Sequence, residues 1–534
     1  MKQTLKQNSA LIIFTAFFCC IFLFINPVNL NAQVFEVAAP ENITFNLNLS
    51  SYLTGSGAYY FQQKETHGGF ETWLNANING NLGNNVSYSF DIGVALINIK
   101  RELLEKDVQM MVLNSNDTGT LVDIYNYPLA YFPYTYRSSW TGFVFPISAL
   151  NAGGPNGWPD TTSIGFNIGG GISGNALNNV FKWYIGRTER EAMEVIEGYS
   201  LALNKFAQPF LGYDLEFNLF PWLSLYHVTG ILEYFSSKGI QKSAATHQNG
   251  FSLTMISLKY GDYIQADVGS SAIWPKRFEL GYLLPGFHLL YKNALGDFDN
   301  MALFGNIKLG YPDLGFLWFS LYVDEMNFEK DFFNLGRQMY AFQAGAQYQI
   351  SFLDSGLLTL SYTKIEPYCY THQKVKVPWY DQMAEQAYTN HGYGLGYYLP
   401  PNSDELKLML AVNTAPQTEL NLQFQMIRHG AEYGEHLVYG SSYQSELQVN
   451  WRSTDPRLRK DFLNDGAYQW IYVLKTGVQH SINSIPALGK LQLSFSVNAG
   501  IVISNWKLNG VILDTVEYPS RTGIIFNAGL HLAY

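Results

Sequence analysis

Between Ile43 and its last residue the chain repeatedly alternates apolar and polar side chains with a period of two. Ile43, Phe45, Leu47 and Leu49 alternate with Thr44, Asn46, Asn48 and Ser50. Val86, Tyr88, Phe90, Ile92 and Val94 alternate with Ser87, Ser89, Asp91 and Gly93, and Leu420, Leu422 and Phe424 with Asn421 and Gln423. Near the C-terminus Leu493, Phe495 and Val497 alternate with Ser494, Ser496 and Asn498. This is the period of extended strands whose two faces meet different surroundings. The polar partners are mostly uncharged Asn, Gln, Ser and Thr, which suit a hydrated lumen, while the apolar partners suit hydrocarbon. The last strand, residues 522–534, turns Ile524, Phe526, Leu530, Leu532 and the terminal Tyr534 to one face. Phe526, Leu530, Leu532 and Tyr534 form the expected barrel-assembly signal, with the barrel-assembly machinery as partner.

The pattern predicts an all-β, antiparallel transmembrane β-barrel of 16 to 20 strands, with a small helical plug or loop helices. About twenty candidate strands are counted, and the count carries one inconsistency. Counting back from Tyr534 puts residues 366–404 on the periplasmic side, where short turns belong. One strand is therefore missed or invented, in 428–442 or in 504–519. Two segments lack the period. Residues 102–136 are long and weakly periodic. Residues 188–197 (TEREAMEVIE) are charged and helix-prone, fitting a loop helix, a plug or an exposed loop, the last slightly preferred.

The N-terminus adds a compartment. Lys2 and Lys6 precede an apolar run from Leu11 to Ile25, and Leu30-Asn31-Ala32 offers a small-residue cleavage site. Residues 1–32 are expected to be a signal peptide and 33–534 the barrel. Cleavage would leave Cys369 as the single cysteine of three, so neither an intrachain disulfide nor a Cys-based metal site is expected. Acids outnumber basic residues 43 to 33, which argues against nucleic acid as a partner. Aromatics make up 16% of the chain, with 37 tyrosines, as interfacial girdles against membrane lipid would require.

Several blocks resemble the Wzi family of outer-membrane proteins, which take part in attaching capsular polysaccharide. The first is Trp183-Tyr184-Ile185-Gly186-Arg187, followed by the run from Ser200 to Phe210 (SLALNKFAQPF). The second is Asp299-Asn300, then Tyr322-Val323-Asp324-Glu325. The third runs from Tyr362 to His372 (YTKIEPYCYTH), then from Asn390 to Gly396 and from Ser403 to Leu406. They stand in family order over roughly half the chain. The resemblance implies a monomeric barrel of eighteen strands, plugged internally by helices, that binds carbohydrate at its outer face.

The chemistry-bearing residues are weighed against blander roles. Glu366, Tyr368, Tyr370, His372 and His391 suit a sugar site, because ring faces stack on sugar C–H faces while carboxylate and imidazole take hydroxyls. An aromatic interface belt competes evenly. Asp297, Asp299 and Asn300 supply oxygen ligands for a divalent cation, although a solvated loop explains them better. Arg187, Asp324 and Glu325 are expected as lumen or plug ion pairs. Gly169, Gly171 and Gly174 match G-x-G-x-x-G, but no helix or ribose-binding acid follows, so a tight glycine turn is expected. His531 and Asn527 share the inward face of the last strand and read as lumen lining rather than as a catalytic pair. No catalytic residue and no cofactor is expected. The leading function is non-enzymatic binding or anchoring of surface polysaccharide at the outer membrane. A channel for small or apolar solutes is the alternative, and a barrel hydrolase acting on lipid or lipopolysaccharide the third.

Overall fold

Each alternating segment pairs with its neighbour in the chain, and the last returns to the first. The computed structural model describes residues 43–99, 143–146, 163–234, 247–288, 299–325, 338–350, 355–376, 383–443, 461–482 and 491–533, with short interruptions inside several of these stretches. The first nine barrel strands are β1 Asn46–Tyr60, β2 Glu65–Asn81, β3 Val86–Ile99, β4 Ser163–Ala176, β5 Phe181–Thr188, β6 Phe210–Phe220, β7 Leu223–Tyr234, β8 His247–Tyr260 and β9 Ile264–Pro275. The other nine are β10 Asn300–Tyr311, β11 Gly315–Glu325, β12 Met339–Ile350, β13 Gly356–Ile365, β14 Ser403–Ala415, β15 Thr418–Gly430, β16 Ala467–Ile482, β17 Gln492–Leu508 and β18 Arg521–Ala533. All neighbours are antiparallel, and β18 pairs with β1 from Ser50↔Ala533 to Tyr60↔Gly523. The closed eighteen-strand barrel therefore leaves no open edge, as hydrocarbon demands of a spanning sheet. A four-residue strand, Phe143–Pro146, adds to the start of β4.

The connections at the end holding both termini are short, such as 221–222, 261–263 and 416–417, while the opposite end carries 189–209, 366–402 and 431–466. Short turns mark the periplasmic side of such barrels. The terminus-bearing end is called inner here and the other outer. Leu49, Ile92, Ile185, Leu317, Leu422, Val497 and Phe526 are exposed on the outward face. Trp222, Tyr260, Tyr263 and Tyr311 are exposed around the inner turns, where an aromatic girdle belongs. On β17, Phe495 and Val497 are exposed while Ser496 and Asn498 are half-buried. Near the bilayer midplane Phe495→Arg should accordingly cost about 2–4 kcal/mol and Ser496→Arg far less. A reversible refolding titration into bilayers checks this, and equal losses would reverse the facing.

The strand-count conflict resolves at the outer end of β17. Asn509 and Gly510 both have positive φ, 49° and 81°, and turn the chain into a three-residue return, Val511–Leu513, that pairs only with the end of β17. Asn-Gly between apolar runs is the strongest short hairpin signal, so this stub passes for a crossing in the sequence. With 504–519 containing no crossing, residues 366–402 fall at the outer end. The glycine motif also reads differently: Gly169, Gly171 and Gly174 lie within β4, not in a turn. A Cβ at Gly171 would sit 2.1 Å from the Ile185 carbonyl oxygen, so close approach to β5 is what glycine permits there.

Candidate functional site

The described residues of two outer connections, 189–209 and 366–402, fold into the barrel and pack on each other. Among its described residues the first holds its shape without a helix. Ala192 pairs with Leu203 as an isolated antiparallel bridge, its N–H donating to the Leu203 oxygen at 2.9 Å. The Ser200 hydroxyl donates to the Ala192 oxygen at 2.5 Å and accepts from the N–H groups of Ala202 and Leu203, both at 3.1 Å. Met193 and Gly198 take positive φ, 62° and 81°, which breaks any helical run. Among the described residues of 188–197 no helix forms and the preferred exposed loop is not what is found; the plug reading fits, with Arg190, Ala192 and Met193 buried. The charged letters misled, because Arg190 is the anchor. Its Nε lies 2.9 and 3.1 Å from the Asp214 carboxylate oxygens, and Nη1 and Nη2 donate to the oxygens of Phe210 and Gly186 at 2.5 and 3.0 Å. The guanidinium also rides over the Phe210 ring, 4.5 Å from its centroid.

The second segment locks onto the first through tyrosines. Tyr370 and Tyr388 donate their hydroxyls to the oxygens of Leu201 and Ala202, at 2.7 and 2.9 Å. Their rings stack 5.7 Å apart and both meet Tyr322 of the wall. Burial pushes both hydroxyls well above the usual tyrosine range, so they stay neutral donors. The Asp324 carboxylate accepts the Tyr370 N–H at 2.7 Å, and Asn300 Nδ2 donates to the Gln386 oxygen at 2.8 Å. At the plug's base, Glu405 of β14 accepts from the Tyr397 hydroxyl at 2.5 Å, from Gln425 Nε2 at 2.7 Å and from the Tyr398 hydroxyl. Lys407 Nζ stands 3.6 Å from Glu405 and 4.8 Å from the Tyr199 ring centroid.

The expected site residues divide on this frame. Tyr368 and Tyr370 are buried in the plug, not displayed at the rim, and Glu366 is buried with Lys364 Nζ at 3.0 Å. His372 is half-buried, and His391 lies outside the described residues. Asp324 holds the plug through the backbone N–H of Tyr370. Glu325 ends β11 beyond a register shift at Val323. Arg187 is a correction: it shares the outward face of Ile185 and donates to the Ile168 oxygen at 3.0 Å. Counting by twos from Ile185 would have shown it. Asp299 accepts the Tyr282 hydroxyl at 2.7 Å, Asp297 lies outside the described residues, and among those described no three His, Cys, Asp or Glu side chains gather as metal ligands. Phe526 and Leu530 face outward, Leu532 is half-buried, and Tyr534 and residues 1–42 lie outside the described residues. Asn527 is buried and His531 exposed. A Ser-His-Glu chain does exist elsewhere, with Ser403 Oγ 2.7 Å from His429 Nδ1 and His429 Nε2 3.0 Å from Glu432. Ser403 is fully buried, so its hydroxyl is not presented to a substrate.

One feature escaped the sequence altogether. On β7 to β9 the exposed Ile231, Leu258 and Val268 fix the outward face, yet that face continues as His227, Thr229, Ser252, Thr254 and Ser270, all buried. The inward partners Val228, Leu232, Phe251, Leu253 and Ile273 are apolar and join the plug's core. The connection after β9 covers the inverted patch from outside. Its helical turn α1, Leu280–Leu283, is fixed where Tyr213 donates to the Leu283 oxygen, and His288 bridges Ser252 and Ser270 at 2.9 Å each. Leu280 and Leu284 are exposed, supplying the apolar surface that the wall lacks there. Burial, with His227 nearby, lowers His288 to a pKa of about 3. The unfolded chain then binds the extra proton first. Stability from this strap is complete above about pH 6.5 and falls by about 1.4 kcal/mol per pH unit down to about pH 3. His288→Gln should flatten that part of a stability-versus-pH curve, and an unchanged slope would remove His288 from the account.

No protein-family model matches the chain, and no curated protein does. Among solved structures it is similar to Wzi, an outer-membrane protein involved in group 1 capsule assembly in Escherichia coli, with 10% identity over 91% of this chain and 83% of that one and a TM-score of 0.48. OpdK of Pseudomonas aeruginosa with vanillate gives 10% identity, 92% and 99% coverage and 0.44. A BenF-like porin of Pseudomonas fluorescens Pf-5 gives 10%, 92% and 98%, and 0.44. Capsule-assembly barrel and porins stand side by side, so the likeness does not single out the family suggested by the motifs.

Proposed function

We propose that this chain is an outer-membrane barrel that binds surface polysaccharide at its outer face without chemical turnover, and that it belongs with the Wzi-type barrels. The plug carries this reading. The described residues of 189–209 and 366–402 occupy the outer half of the lumen with fully buried side chains, such as Leu201, Ala202 and Leu395, where a diffusion channel needs water. Membrane lipid surrounds the apolar belt, and the barrel works as a monomer. Tyr368 and Tyr370 serve by shaping the plug on which the outer surface rests. A second reading has one observation in its favour. The inner half is walled by uncharged amides, with Asn46 and Asn48 facing Asn79 and Asn77 across β1 and β2, as a channel for small polar solutes would be. A glycan array and planar-bilayer conductance on the same refolded protein decide between them. Polysaccharide binding with little conductance is expected, and steady conductance without glycan binding would replace the first reading by the second.

A further inference from the structure

Below the plug, the inner halves of β3 to β7 and the turn between β2 and β3 line an open pocket of about 350 Å3. We propose that it is a binding site for an uncharged oligosaccharide entering from the inner end, distinct from the outer face and not dependent on binding there. Its size falls in the range of small-molecule sites. Its lining includes Ser87, Ser173, Asn175, Lys182, Tyr184 and Glu216. The hydroxyls of Ser87 and Ser173 stand 2.8 Å apart, one donating to the other, which leaves further acceptor capacity turned to the space. Lys182 and Glu216 pair at 3.0 Å, and Asp214 is taken up by Arg190, so the charges at this wall are matched in pairs. A charged ligand would have to break such a pair, whereas a hydroxyl can accept from Lys182 and donate to Glu216 without separating them. Tyr184 and Tyr226 bring to the lining the aromatic ring type on which sugar C–H groups stack.

The approach has the same chemistry. Asn77 Nδ2 donates to Ser89 Oγ at 2.9 Å and to Asp91 Oδ1 at 2.7 Å, continuing the amide row of β1 and β2 toward β3. Asp214 closes the site above. It accepts from Arg190 of the plug and, at 2.6 Å, from the Tyr226 hydroxyl of the cavity wall, so a ligand lies directly beneath the plug's anchor.

The test is isothermal titration of the full refolded chain with maltotriose and N,N′-diacetylchitobiose, and with a hyaluronan disaccharide as the acidic probe. Saturable binding of at least one neutral probe is expected, with none of the acidic one. Ser173→Trp fills the cavity and should weaken that binding at least tenfold while the barrel stays heat-modifiable. Asn175→Leu, nearly isosteric, should weaken it in the same direction should the larger side chain prevent folding. Absence of binding by both neutral probes, equal binding of the acidic one, or unchanged affinity in the folded variants overturns the site. A long polysaccharide is too large for this space. A positive glycan array with a negative titration therefore sinks only this proposal, and the reverse sinks only the outer-face reading.

Discussion

Arg190→Ala is expected to loosen the plug and to be among the most damaging single changes in the lumen. The Arg190 side chain is 2% exposed and that of Asp214 15%. Alanine removes the donors from the oxygens of Phe210, Thr188 and Gly186 and leaves the Asp214 carboxylate without its cation. Breaking a buried pair in this way costs about 3–5 kcal/mol, because the remaining charge keeps its desolvation penalty. The barrel hydrogen bonds are untouched, so the loss should fall on segment 189–209 rather than on the strands. Faster backbone amide exchange over 198–204 and raised single-channel conductance are the expected readouts, with strand amides unchanged. Arg190→Lys should recover part of the loss, since one ammonium keeps the charge but cannot reach four acceptors in a fork. Wild-type exchange and conductance in the alanine variant would show that the plug is held by its tyrosines alone.

Strand facing was legible because it depends on a local period and on one solvent boundary. Phe495 out and Ser496 in follow from their neighbours alone. The plug was not legible, because its contacts join distant residues: Tyr370 meets Leu201 across 169 positions, and neither segment repeats. Tyrosines suited to a sugar site are equally suited to donating one hydroxyl to a buried carbonyl, and here burial takes them out of reach. The outward patch of β7 to β9 defeats the period for a different reason. Alternation separates two faces but does not say which one meets lipid, and the strap from 279 to 288 reverses the answer over part of the wall. Arg187 and Arg190 show both limits at once. Parity from Ile185 sends Arg187 outward, but only the fold of 189–209 reveals that Arg190 turns back to Asp214.

Glu405→Gln should destabilise the base of the plug by about 3–5 kcal/mol, although it keeps the shape of the side chain. Glu405 is 1% and Lys407 4% exposed, and the carboxylate receives the hydroxyls of Tyr397 and Tyr398 as well as Gln425 Nε2. An amide can still accept from these donors on its oxygen, but its NH2 group meets donors where the second carboxylate oxygen stood. It also leaves the Lys407 ammonium in place, with Lys475 near enough to repel it. The ring faces of Tyr199 and Tyr398, 4.8 and 4.9 Å from Nζ, offset only part of that loss, since a cation over an aromatic ring contributes about 0.5–2 kcal/mol. Removing the cation as well should therefore restore much of the stability, because a buried pair replaced by uncharged groups of similar volume is often close to neutral. In a double-mutant cycle measured by reversible refolding into bilayers, Glu405→Gln/Lys407→Met should be more stable than Glu405→Gln by at least about 1 kcal/mol. Additive losses from the two substitutions would mean that the tyrosines, and not the lysine, are what Glu405 is there to hold.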